Sequence, residues 1–237
     1  MVKNKLLRRY YLATGDERFK KICEIHEVKR NILLKTLSEI LKEFKDEEVN
    51  CVVIKQHQDF LDDIDILVAN GGEKEIRRSV EILRRLNFHI SETNDNKIML
   101  SRKDGDIESK IHLHREIEWN GFIFHDRLQI WKNRMEEKVD GVSAYVPSPA
   151  DQIIVLLAHA LFENCEITLN DSLTVREILS SFDVDARYII GNIKRWNWYH
   201  EFLVLKDLIG LSISNSKFKI HGIQDPSEYP LCIPIIV

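Results

Sequence analysis

The segment Val52–Gly71, VVIKQHQDFLDDIDILVANG, constrains the fold of this chain more than any other. Two short runs rich in Val and Ile, Val49–Lys55 and Asp63–Ala69, flank a polar loop of Gln56–Asp62. Runs of that length and composition form buried strands rather than helices. Asn70, Gly71 and Gly72 close the second run with strong turn chemistry, and the short polar connection makes the two strands an antiparallel pair. Strands this apolar need cover, so the rest of the chain has to supply it.

The flanking sequence does so. From Phe19 to Phe44, Ile22, Ile25, Val28, Ile32, Leu33, Leu37, Ile40, Leu41 and Phe44 recur at helical spacing, which predicts a long amphipathic helix. Glu73–Leu86 places Ile76, Val80, Leu83 and Leu86 on one face and predicts a second helix, packed on the sheet. Short strands are expected at Phe88–Glu92, Lys97–Arg102 and Ile107–Leu113, with Asp104 and Gly105 turning between the last two. After Trp119, Asn120 and Gly121 no period dominates until a strand at Val142–Val146. Ser148 and Pro149 then supply an N-cap and a first-turn proline. Helical patterns follow over Asp151–Phe162, Leu173–Ser181, Val184–Trp196 and Phe202–Leu211. The expected class is α+β, a mixed β-sheet with helices plus a C-terminal helical portion. The expected division is N-terminal helices over 1–48, an α/β core over 49–146, a helical domain over 147–215 and an extended tail over 216–237. Pro226, Pro230 and Pro234 exclude a regular helix in that tail, and its apolar end, Leu231–Val237, is expected to pack along its own domain.

Composition narrows the function classes. With 44% hydrophobic and 30% charged residues the chain is neither disordered nor membrane-embedded. No apolar run approaches the roughly 18–20 residues that span a bilayer, and the first residues lack a signal-peptide core, so no membrane partner and a cytoplasmic location are expected. A net charge of -4 argues against a generally cationic surface for nucleic acid. Arg77, Arg78, Arg84 and Arg85 are expected to line a solvated helix face. Cys23, Cys51, Cys165 and Cys232 show no CxxC pairing and are expected to be reduced and mostly buried.

The chemistry lies in Asp63, Ile64 and Asp65. Side chains alternate along a strand, so both carboxylates project to one face while Ile64, Ile66 and Val68 face the core. Two adjacent carboxylates repel, and a divalent cation removes the conflict. Mg²⁺, with Mn²⁺ as the substitute, binds through one or two carboxylates and completes its shell with water and substrate phosphates.

In this context the chain resembles the polymerase-β-like nucleotidyltransferase superfamily, in particular its stand-alone, uncharacterised bacterial and archaeal group. The resemblance rests on VVIK before the loop, DIDILV after it and the later IHLHREIEWNG, and covers about Val49–Gly121. It implies a metal-dependent nucleotidyltransferase that moves a nucleoside monophosphate from a nucleoside triphosphate to a hydroxyl on an unknown acceptor, whether small molecule, RNA or protein. Asp63 and Asp65 would bind the metal. His112 stands where the family places a third metal-binding carboxylate, and because imidazole suits softer metals than magnesium, manganese or zinc is an alternative ion there. The family's small Gly-Gly or Gly-Ser pair is missing from the first loop, where Lys55, Gln56 and His57 would instead offer donors to the nucleotide phosphates. Glu108, Lys110, His112 and His114 share a strand face, so Glu108 or His114 also comes within reach of the site. Two further readings remain open at this level: a catalytically silent member that binds nucleotide, RNA or a protein, and a glycosyltransferase whose DxD holds a sugar nucleotide. His159 is expected to be a core histidine. Trp196, Trp198 and Tyr199 are expected to pack helices together, and Asp171 to serve a helix terminus near Arg176.

Overall fold

The computed structural model describes residues 11, 13–54, 63–69, 71–94, 96–139, 141–214, 216–220 and 235–236. The chain divides into two compact units, one of Met1–Glu116 with Arg127–Pro147, the other of Ile117–Asp126 with Ser148–Val237.

In the first unit a turn of 3₁₀-helix, capped by Asp16, leads into α1, Lys20–Asp46. Then come β1 (Cys51–Ile54), β2 (Ile64–Val68), α2 (Glu73–Arg85), β3 (His89–Thr93), β4 (Lys97–Asp104) and β5 (Ile107–His114). The expected α+β class is observed: these strands form one mixed sheet in the order β1-β2-β5-β4-β3. The expected antiparallel pairing of β1 with β2 holds, with Ile54 opposite Asp65. β2 runs parallel to β5, while β4 runs antiparallel to both β5 and β3. The connection from β2 to β5 passes through α2, β3 and β4, which leaves β2 in the interior of the sheet.

One face of that sheet is covered by helices. Leu33, Leu37, Ile40 and Phe44 of α1 and Ile76, Ile82 and Leu83 of α2 form one cluster with Ile64, Ile66 and Val68 of β2 and Ile111 and Leu113 of β5. Each such side chain contributes about 1.5–3 kcal/mol when taken out of water. The apolar stripe predicted for α1 is therefore used only in part. From Leu33 onward it is buried, whereas Ile22, Ile25 and Val28 are 44%, 60% and 54% exposed. The turn between β4 and β5 falls on Gly105 and Asp106, one residue later than its sequence expectation, because Asp104 already pairs with Ile107. Arg77 pairs with Glu73, and Arg78 and Arg85 pair with Glu47, so these arginines do line a charged surface. α3 (Arg127–Asn133) and the hairpin of β8 (Met135–Val139) and β9 (Val142–Val146) complete the unit.

The second unit contains the hairpin of β6 (Ile117–Trp119) and β7 (Phe122–His125). Asn120 and Gly121 between them both have positive φ, 49° and 80°, as a tight two-residue hairpin turn requires. α4 (Pro149–Ala158) starts as expected, with the Ser148 side chain accepting from the Asp151 amide and proline at the first turn. It continues as a turn of π-helix, His159–Glu163. β10 (Ile167–Thr168), α5 (Leu169–Ser181), α6 (Ala186–Arg195) and α7 (Tyr199–Leu208) follow. Thr168 and Asp171 form a capping box at the start of α5, which is the helix-terminus role expected of Asp171. β11 (Leu211–Ser214) and β12 (Lys217–Ile220) make a hairpin that the helical patterns did not indicate. Of the apolar tail, only β13 (Ile235–Ile236) is described, and it pairs in parallel with β10.

Candidate metal centre

The register of β2 against β5 builds the centre. Asp65 lies directly abreast of His112, and Leu67 abreast of His114. Because alternate residues share a face, Asp65, His112 and His114 emerge on the side of the sheet opposite Ile64, Ile66, Ile111 and Leu113. Asp63, just before β2, falls on the same side.

The Asp65 carboxylate is nearly inaccessible, at 2%. A buried carboxylate is costly unless paired. His114 Nε2 lies 2.7 Å from Asp65 Oδ1 and forms a hydrogen bond with it. His112 Nδ1 stands between the two acids, 3.3 Å from Asp65 Oδ1 and 3.4 Å from Asp63 Oδ2. Asp63 is the more open carboxylate, 34% exposed, and the imidazoles are 16% and 12% exposed. The cluster is thus closed at Asp65 and open at Asp63.

One ligand atom from each of Asp65, His112 and His114 lies within 4.8 Å of the others. Two ligands bound to one ion at about 2.0–2.2 Å stand about 3–3.5 Å apart, so the short edges of this group are near those of a shared ion. A donor set of carboxylates and imidazoles fits a divalent cation. Without one, the same atoms make a network of close carboxylate–imidazole contacts.

The sequence reading named Asp63, Asp65 and His112, and these come together. His114, reached there only by strand alternation, makes the shortest contact to Asp65. Glu108 does not join them: it is exposed and pairs with Lys110. Lys55, Gln56 and His57 lie outside the described residues. The residue before them, Ile54, pairs with Asp65.

After β2 the chain passes close to Arg115 and Arg127 at Gly71. At Gly71, φ is +21°, and an added Cβ would lie 2.8 Å from Arg127 Nε and 2.9 Å from the Arg115 carbonyl oxygen. Only glycine lets the turn sit there. Arg115 in turn donates to Glu73 at 2.8 Å, and Arg127 pairs with Glu116.

The second unit contains a polar network that sequence reasoning missed. Asp151, wholly buried on α4, accepts from Tyr188 Oη at 2.6 Å and, through the same Oδ1, meets His125 Nε2 at 2.7 Å. Ser148 Oγ donates to its Oδ2 at 2.6 Å. Burial works to raise the Asp151 pKa. The hydrogen bond and field of His125, then hydrogen bonds from Ser148 and Tyr188, outweigh it and hold the carboxyl below its ordinary 3.8. His125 is fully buried, and its Nδ1 finds no hydrogen-bond partner among the described residues. His125 and Tyr188 lie 26 and 37 residues from Asp151 in sequence, and only the proline-led N-terminus of α4, which carries Ser148 and Asp151, was marked in the sequence.

His159 is paired with Glu163 one turn along the π-helix. Trp198 is buried edge-on against Phe162 and Phe202, the packing role expected for it. Cys23 and Cys51 are buried, in line with the expectation of mostly buried thiols, Cys165 is exposed, and Cys232 lies outside the described residues. Among the described residues, no helix is long and apolar enough to cross a membrane.

The profile of a family described as uncharacterised nucleotidyltransferase matches residues 60–208, more than half of the chain and the whole of the Asp63 to His114 cluster. No curated protein and no solved structure matches the chain.

Proposed function

Because the chain belongs to the uncharacterised nucleotidyltransferase family, we propose that it moves a nucleoside monophosphate from a nucleoside triphosphate to a hydroxyl of an acceptor, at the centre formed by Asp63, Asp65 and His112. The observation that carries this reading is the convergence of both acids and His112 on one side of the sheet, inside the segment that defines the family.

In the reaction the acceptor oxygen forms a bond to the α-phosphorus, the bond from that phosphorus to the α–β bridging oxygen breaks, and pyrophosphate leaves. A divalent cation held by Asp63 and Asp65 would offset the charge on the phosphates and align the groups in line. The protein's own work is largely positioning. Asp65 is fixed by burial and by His114, so its oxygens do not reorganise as substrate arrives. Asp63 is open and takes the proton of the attacking hydroxyl. His112, placed between the two acids, holds them at a set separation. Lys55 and His57, next in sequence after Ile54, supply charged or polar donors to the phosphates, with Gln56 between them.

The test is a transfer screen with each α-labelled nucleoside triphosphate against small-molecule, RNA and protein acceptors, with sugar nucleotides as controls. Label is expected to move in the wild type and to be lost in Asp63→Asn and Asp65→Asn. Transfer that survives Asp65→Asn refutes the assignment. One observation favours a second reading, a silent member that binds nucleotide without turnover: an imidazole occupies the position where a third carboxylate is expected. In that case nucleotide binding depends on Asp63 and Asp65 but no label moves.

A further inference from the structure

A magnesium site has no use for two imidazoles, yet two reach this one. We infer that the centre is built for a transition-metal dication of the zinc class rather than for magnesium. Asp65 Oδ1, His112 Nδ1 and His114 Nε2 would be its ligands, with Asp63 Oδ2 at the open side. The inference rests on the reading of Asp63 and Asp65 as metal carboxylates given above, and it adds His114 to the ligand set and a choice of metal.

Donor type and shape distinguish the two metals. Magnesium prefers oxygen donors in a near-ideal octahedron and keeps several waters. Imidazole nitrogen suits zinc, iron, nickel and copper, and affinity for nitrogen donors rises from manganese through iron and nickel to copper, with zinc just below copper, while magnesium stays weak. Three protein ligands with one open position is the arrangement of catalytic zinc sites, with two histidines and one carboxylate among the known sets. Here the enclosed atoms are those three, with side-chain exposures of 2%, 16% and 12%, and the open side carries Asp63 at 34%. The nitrogens are not turned elsewhere: Nδ1 of His112 faces both acids and Nε2 of His114 faces Asp65 at 2.7 Å. Strand alternation alone puts the rings on this face; the ring geometry, 6.3 Å between centroids and nearly perpendicular, lets each present a nitrogen without stacking on the other. A replacement of the expected third carboxylate by His112, backed by His114 two residues on, changes the metal preference of the site instead of abolishing it.

The experiment is calorimetric titration of the metal-free full chain with zinc and with magnesium, together with X-ray absorption on the zinc-loaded wild type. One zinc per chain is expected, bound at least about two orders of magnitude more tightly than magnesium. The absorption spectrum is expected to show the outer-shell scattering of two imidazoles and no sulfur. His114→Gln is expected to weaken zinc at least about tenfold. The wild-type spectrum stands even if that variant fails to fold. Magnesium binding within tenfold of zinc, a spectrum without imidazole, or one with sulfur ligands overturns the inference. Magnesium-supported nucleotidyl transfer with weak zinc binding overturns it and leaves the proposed activity standing. Tight zinc binding through two imidazoles, with no transfer from any nucleoside triphosphate, does the reverse.

Discussion

Replacing Asp151 by Asn tests how the second unit is held together. The side chain keeps its shape but loses its charge. The amide oxygen can occupy the Oδ1 position, where it still accepts from Tyr188 and His125, while its nitrogen meets Ser148 Oγ where the carboxylate accepted a hydrogen bond. Hydrogen bonds to a charged group contribute about 1.5–3 kcal/mol each, against about 1 for neutral pairs, and they do not add fully. The expected loss for Asp151→Asn is therefore about 2–3 kcal/mol. Asp151→Ala, which strands the buried His125 and Tyr188 donors, should cost about 3–5 kcal/mol. The pH dependence follows from the depressed carboxyl. As pH falls, the unfolded chain takes up the proton first, so the stabilisation is complete above the ordinary carboxyl range and is lost as pH drops through the lower folded value. The gap between wild type and Asp151→Asn should be constant near neutral pH and should close below about pH 4. Urea unfolding followed by tryptophan fluorescence measures it, since Trp119, Trp196 and Trp198 belong to this unit and only Trp131 does not. A variant within about 0.5 kcal/mol of wild type at pH 7, or a gap unchanged at pH 3, would refute the reasoning.

Two glycines with positive φ should respond differently to alanine. Gly71→Ala meets a backbone carbonyl and should cost about 1–3 kcal/mol, whereas Gly121→Ala has open space and should cost about 1 kcal/mol, from backbone strain alone. Thermal denaturation of both variants gives the order, and equal losses would contradict it. Thiol accessibility should separate the cysteines. Cys165 should react with a maleimide in the native protein, while burial, which pushes the Cys51 thiol up to about 12, should keep Cys51 unlabelled until denaturant is added. Peptide mass spectrometry identifies the labelled sites, and native labelling of Cys51 would show that β1 is not packed as described.

The parts of the fold visible in the sequence are those where one physical signal dominates. Val and Ile density marked β1 and β2, and the carboxylates of Asp63 and Asp65 followed from alternation. The pairing of β2 with β5 is parallel and spans the intervening helix and two strands, so nothing local fixed Asp65 opposite His112. Alternation placed His114 on the right face but could not give its distance to Asp65. The stretch after Trp119 read as irregular although Asn120-Gly121 is strong hairpin chemistry, because the strands on either side are only three and four residues long and show no clear alternation. The helical stripe of α1 extends past its cover, since periodicity records which face is apolar and not how much of it is buried. The network around Asp151 was invisible for the opposite reason: His125, Ser148 and Tyr188 come from three elements, and burial creates the relation between them.

The proposed reaction requires Asp63 and Asp65 to hold a divalent cation against the phosphates of a nucleotide. Anomalous diffraction from crystals soaked with Mn²⁺ and a non-hydrolysable nucleoside triphosphate tests it most directly. A peak within about 2.0–2.3 Å of Asp65 Oδ1, with the Asp63 carboxylate and phosphate oxygens also in its shell, is the predicted result. Triphosphate density elsewhere on the protein, with no manganese peak between Asp63, Asp65 and His112, would contradict it.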